Sequence, residues 1–167
     1  MDRQLGYIII LLFLFGCSNP IKSDIEKPIF INYDMRLPID ENGNYHLELN
    51  REKWQTTHRV DGYIYGSENI SAKRIEWDSN LYWVVGDTLG YIYKRGLTDE
   101  FVYVNYDTLY LTWFSGQEVP TTNFQSYTHH DGTFSNMIAP TKSMIGDTLR
   151  LVSEFQDKKK TFNIVLE

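Results

Sequence analysis

Arg74-Ile75-Glu76-Trp77-Asp78 sets charged against apolar side chains at every step, and that alternation decides the fold class. A period of two puts Ile75 and Trp77 on one face of an extended strand and Arg74, Glu76 and Asp78 on the other. The same period recurs on both sides of this stretch. Upstream, Tyr45, Leu47 and Leu49 alternate with His46 and Glu48, and Val60, Gly62 and Ile64 alternate with Tyr63 and Tyr65. Downstream, Leu109, Leu111 and Trp113 alternate with Tyr110 and Thr112. Leu149 and Leu151 then precede a last strand carrying Phe162, Ile164 and Leu166. Turn residues punctuate these runs at Asn42-Gly43, Gly86-Asp87, Gly96, Gly116, Asp131-Gly132 and Gly146-Asp147.

About nine to eleven short strands without amphipathic helices predict an all-β fold, an antiparallel β-sandwich of immunoglobulin-like architecture with Trp77 at its centre. A closed antiparallel β-barrel is the alternative. The one helical candidate is a capped turn over residues 50–56, and Lys158-Lys159-Lys160 reads as a hairpin turn between two strands.

The N-terminus has a different character. Leu5 to Phe15 is an uncharged apolar run of eleven positions. As a helix it would extend roughly 16 Å, about half of a bilayer core, which suits the apolar region of a signal peptide rather than a membrane span. Cys17, the only cysteine, follows in Leu14-Phe15-Gly16-Cys17. Leu14, Gly16 and Cys17 resemble the lipobox of bacterial lipoprotein precursors, and Phe15 departs from it by its size. The resemblance implies that Cys17 becomes an acylated N-terminus, with several chains sufficing for stable anchoring. Ser18, rather than an aspartate, after the cysteine implies delivery to the outer membrane. The expected organisation is a signal peptide over residues 1–16, a lipidated cysteine and flexible tether over 17–28, and a single β-sandwich domain over 29–167.

Composition excludes more than it selects. With 22 Asp+Glu against 16 Lys+Arg, the chain is a poor partner for nucleic acid. Adjacent His129 and His130 would point to opposite faces of a strand, and no metal-binding spacing of histidines occurs, so neither a metal nor another cofactor is expected. No Gly-x-Ser-x-Gly elbow is present. Glu76 and Asp78 are the nearest approach to a carboxylate pair, and Arg74 beside them reads as a surface ion ladder. A non-catalytic protein is expected.

Two features remain. Asp-Thr-Leu occurs three times, at Thr88, Thr108 and Thr148, each at the mouth of an expected strand. Local turn chemistry accounts for it. The tripeptide also resembles the Asp-Ser/Thr-aliphatic sequon of a general O-glycosylation system of some diderm bacteria, which implies glycans on those threonines. Aromatic residues make up 15% of the chain, and several fall on the polar phase of their strands. Such tyrosines either pair across strands or stack sugar rings. Residues 117–125 form the most polar long connection and the best candidate for a binding rim. The expected contacts are Tyr110, Trp113, Asn123 and Phe124. The reading is a lipid-anchored envelope module that binds a glycan or another envelope component, with an accessory subunit of an outer-membrane assembly as the alternative and, should Glu76 and Asp78 face a cleft, a glycoside hydrolase as the last.

Overall fold

The computed structural model describes residues 29–66, 69–86, 90–95, 100–105, 108–111 and 117–167. The expected signal peptide and tether lie outside these residues with Cys17, as do Thr88 and Trp113. In chain order the strands are β1 (Phe30–Asp34), β2 (Tyr45–Leu47), β3 (His58–Tyr65), β4 (Arg74–Ser79), β5 (Leu81–Val84), β6 (Gly90–Arg95) and β7 (Glu100–Asn105). There follow β8 (Thr108–Leu111), β9 (Glu118–Pro120), β10 (Gln125–Tyr127), β11 (Thr133–Ile138), β12 (Thr148–Phe155) and β13 (Lys158–Leu166), with one 3₁₀ turn at Lys142–Met144. That is thirteen strands among the described residues, more than the nine to eleven expected.

They form three open sheets. Sheet I has the order β1-β3-β11, sheet II β10-β4-β12-β13-β2, and sheet III β8-β7-β6-β5-β9. All pairings are antiparallel except that of β2 with β13. The fold is a β-sandwich, and no sheet closes into a barrel. Sheets I and II face each other. Val60, Ile64, Phe134 and Ile138 of sheet I share one core with Ile75, Trp77, Leu149, Leu151, Phe162 and Ile164 of sheet II. The indole of Trp77 is 3% exposed within that core, in edge contact with Tyr33 at 6.0 Å between ring centroids. The period-two phase holds in β3, β4 and β11, where for instance Arg74, Glu76 and Asp78 are exposed while Ile75 and Trp77 are buried, but not in β5 and β6.

Sheet III continues from sheet II through a corner at Asn80, the single residue between β4 and β5. Its buried side chain donates from Nδ2 to the carbonyl of Thr148 (3.1 Å) and accepts at Oδ1 from the N–H of Arg150 (2.7 Å). The corner is therefore fastened to β12 by two bonds that no apolar residue would make.

One local expectation needs correction. The hairpin turn between β12 and β13 is Gln156-Asp157, with Gln156 in the left-handed region at φ 54°. Lys158, Lys159 and Lys160 are instead the first residues of β13, and Lys159 pairs across the ladder with Glu154 at 3.0 Å. Residues 50–56 hold a capped turn: Asn50 Oδ1 accepts from the N–H groups of Glu52 and Lys53.

The parallel pairing of β2 with β13 is closed by a histidine. His46 Nδ1 lies 2.6 Å from Glu167 Oε1, and its Nε2 lies 3.5 Å from Asp40 Oδ2. Asp40 is held at a pKa of about 2, chiefly by hydrogen bonds from Asn44. The hydrogen bond to Glu167 raises the His46 pKa above its ordinary 6.5. A raised folded value means that this stabilisation is complete below the unfolded pKa and is lost as pH rises through the folded one. In urea titrations from about pH 5 to about pH 9, His46→Gln is expected to remove part of the fall in stability on the alkaline side. An identical pH profile for the variant would show that the His46 contacts contribute nothing.

Candidate ligand-binding groove

The connection 117–125 is a stitch rather than a loop. β9 forms the edge of sheet III, where a strand ending in Pro120 is tolerated because its missing N–H would face outward. The chain then turns inward. Thr121 donates its N–H to the carbonyl of Leu81 and accepts from Ala139 N–H, and its hydroxyl bonds Ser79 Oγ at 3.2 Å. Buried Asn136 donates to the Thr122 hydroxyl at 2.8 Å. Thr122 also bridges to Ile138 of β11, and β10 then joins sheet II. One short segment thus ties all three sheets together.

Burying Thr121 and Thr122 turns Asn123 and Phe124 outward. Both are exposed, and the Phe124 side chain is 65% exposed although its backbone is fixed by Trp77 N–H donating to its carbonyl at 2.8 Å. The two residues stand on one wall of an open groove of about 450 Å³. Gln125, Trp83, Gln55 and Met137 complete the part that can meet a ligand, and among the described residues no charged side chain lines it. Trp54 packs edge-on against Trp83, with centroids 5.1 Å apart and planes at 89°. Gln55 donates to the carbonyl of Ala139 at 2.8 Å, which orients its amide. Met137 is 38% exposed. The surface is apolar, with a ring protruding from a hydrogen-bonded backbone and neutral amides around it. That combination suits a ligand with apolar ring faces and hydroxyl edges.

Of the four expected contacts, the structure brings Asn123 and Phe124 together here. Tyr110 lies on β8, at the edge of sheet III opposite β9, four strand spacings or about 19 Å away. Gln55, Trp83 and Met137 were not anticipated. Only Met137 left a trace, as an apolar residue on the exposed phase of β11.

The other candidates are dispersed. His129 and His130 are exposed in the turn before β11, and the described residues contain no group of three or more metal-ligating side chains. Glu76 and Asp78 stand on the outer face of sheet II, 2.7 Å from Arg74 and 3.8 Å from Lys94 respectively. A second cavity of about 420 Å³ on sheet I holds Asp34, Arg36, Arg59 and Asp61. These four charges engage one another, with Asp61 accepting from both arginines.

Thr108 opens β8 and Thr148 opens β12, so both stand at strand mouths. Thr148 is exposed, and Asp147 accepts its N–H at Oδ1 while accepting the Tyr91 hydroxyl at Oδ2 (2.7 Å). Among the described residues no helix is long and apolar enough to cross a membrane. No family model, curated protein or solved structure matches the chain.

Proposed function

We propose that the protein is a lipid-anchored, non-catalytic module of the bacterial cell envelope that binds a glycan in the groove between β9 and β11. The observation that carries this reading is Phe124, an exposed ring on a backbone held by Asn123 N–H donating to the Met137 carbonyl and by Trp77 N–H donating to the carbonyl of Phe124 itself. Neutral amides of Asn123, Gln125 and Gln55 stand near it to meet hydroxyl groups, and Cys17 supplies the anchor through its acyl chains at the outer membrane.

Because the lining is uncharged, the favoured ligands are neutral polysaccharide segments. The test is a screen of neutral and acidic envelope and extracellular glycans, followed by calorimetry on any that bind. Stacking on an exposed phenyl ring corresponds to about 2 kcal/mol of apolar burial, so Phe124→Ala is expected to weaken binding roughly thirtyfold. Stability should move by no more than ~0.5 kcal/mol, since the ring is outside the core. A screen without a single binder, or equal affinity in Phe124→Ala, would refute the groove as a glycan site.

A further inference from the structure

Three exposed rings stand in a row on the outer face of sheet I. Phe30 of β1 lies directly across from Tyr65 of β3, and Tyr63 is two residues further along the same strand. Phe30 and Tyr65 are stacked at 5.3 Å with planes 22° apart, and Tyr65 and Tyr63 are 5.6 Å apart. Each ring is nonetheless 46–48% exposed. Lys158 flanks the row: its Nζ sits 5.6 Å from the centroid of Phe30 and donates to the carbonyl of Ile29 at 2.9 Å. Asn32 donates to the Tyr63 hydroxyl at 3.0 Å. The rings therefore form a pre-ordered ridge, bounded along the sheet by the charged quartet of Asp34, Arg36, Arg59 and Asp61.

Cross-strand packing explains why the rings touch one another. It does not explain why a phenyl ring and two tyrosines with a lysine at their end are left facing water. The place of the ridge in the chain supplies the missing term. Phe30 is the first residue of β1, and only eleven residues, 18–28, separate Cys17 from Ile29. A coil of that length has an r.m.s. span of about 18 Å and cannot exceed ~38 Å. Whatever holds Cys17 also holds this ridge close by, at an effective concentration that lets weak contacts count.

We propose that the ridge of Phe30, Tyr65 and Tyr63, with Lys158, rests on the surface of the bilayer in which Cys17 is anchored; this rests on the lipid-anchor part of the function proposed above. Tyrosine rings are amphipathic and settle at the headgroup level, and a lysine beside them reaches lipid phosphates while its stem covers apolar surface. The quartet at the far side of the ridge stays in water and limits the depth. The consequence for the groove is geometric. Met137, on the groove, pairs with Arg59 near the start of β3, whereas Tyr65 ends the same strand. Six residues of strand, about 20 Å, separate the two. A domain seated on its ridge therefore keeps the groove clear of the rings' footprint, about 20 Å along the same sheet face.

The test uses the processed chain purified from bacterial membranes, with Asn32→Cys as reporter position and Asn163→Cys, on the outer face of sheet II, as control. An acylated Cys17 has no free thiol, so each variant takes a single environment-sensitive NBD label, whereas a free Cys17 would give two labels per chain by mass spectrometry. The labelled proteins are reconstituted into phosphatidylethanolamine–phosphatidylglycerol vesicles and challenged with dithionite. The expected result is slower bleaching at position 32 than at position 163. Lys158→Gln should lower the docked-to-undocked ratio about fivefold, as expected for one lysine at an anionic surface, and Phe30→Ser with Tyr65→Ser should abolish protection. Near-ultraviolet circular dichroism checks that these variants remain folded. Equal bleaching at the two positions with one label per chain would overturn the docking and leave the anchor standing. Two labels per chain would overturn the anchor and the docking with it. Protection that rises with protein-to-lipid ratio would assign the ridge to a second copy of the chain and overturn docking on lipid.

Discussion

Gly62→Ala is expected to lower the melting temperature by about 10 °C, a large effect for one methyl group. Gly62 lies in the middle of β3, between Tyr33 on β1 and Phe134 on β11. A Cβ at this position would fall 2.3 Å from Phe134 Cζ and 2.5 Å from the carbonyl oxygen of Asn32. Both neighbours resist. The carbonyl belongs to the β1 backbone, and moving it means parting the β1–β3 ladder. Phe134 is 2% exposed, set between Tyr33 at 5.9 Å and Trp77 at 6.3 Å. Overpacking of this kind costs about 3 kcal/mol, and at roughly 3 °C per kcal/mol for a domain of this size the shift follows. Gly43→Ala is the control: its φ is +82° with nothing within 4 Å of a built Cβ, so only backbone strain of ~1 kcal/mol applies. Combining Gly62→Ala with Phe134→Leu should recover part of the loss, because a leucine leaves room where the ring tip stood. A melting temperature for Gly62→Ala within about 2 °C of wild type would mean that the slot over Gly62 is not filled as described.

The phase of β3 was legible because Val60, Gly62 and Ile64 obey the alternation in which Tyr63 and Tyr65 take the outward places. What the alternation could not reveal is that Gly62 opens a slot for a ring from a strand some seventy residues later. The stitch between the sheets was hidden for a related reason. Thr121 and Thr122 are polar and buried, and their burial is made tolerable by Ser79 and Asn136, which come from other elements. In sequence such threonines look like a solvated connection. The lysines 158–160 misled in the same way: their charges suggest a turn, yet Glu154, Phe30 and Phe162 provide partners for all three in an extended strand. The candidate groove was half visible. Asn123 and Phe124 interrupt a polar run with a single ring, which a sequence displays. Gln55, Trp83 and Met137 join them only through the pairing of distant strands.

Trp77→Ala is expected to cost 3–5 kcal/mol, the range for emptying a core site of an indole, and the gentler Trp77→Phe separates what that indole does. Trp77 serves two neighbours by different atoms. Its indole N–H donates to buried Ser126 Oγ at 2.9 Å, while its backbone N–H donates to the carbonyl of Phe124 at 2.8 Å. Phenylalanine keeps the backbone bond and most of the ring packing but leaves the Ser126 hydroxyl without its donor. An unpartnered buried hydroxyl costs ~1–3 kcal/mol, visible as a lower urea midpoint at unchanged slope. Ser126→Ala alone strands the indole N–H and should cost a similar amount. The double variant loses both partners together, so its loss of stability should fall short of the sum of the two single losses by about 1 kcal/mol. Strict additivity would show that the bond contributes nothing. Binding should behave differently from stability. Phe124 is aimed by main-chain bonds, so Trp77→Phe, assayed where it is still folded, should bind a glycan ligand with an affinity near that of wild type. If affinity fell with stability instead, the groove would owe its shape to the indole beneath it, and the site would be an extension of the core rather than a feature of the stitch that crosses it.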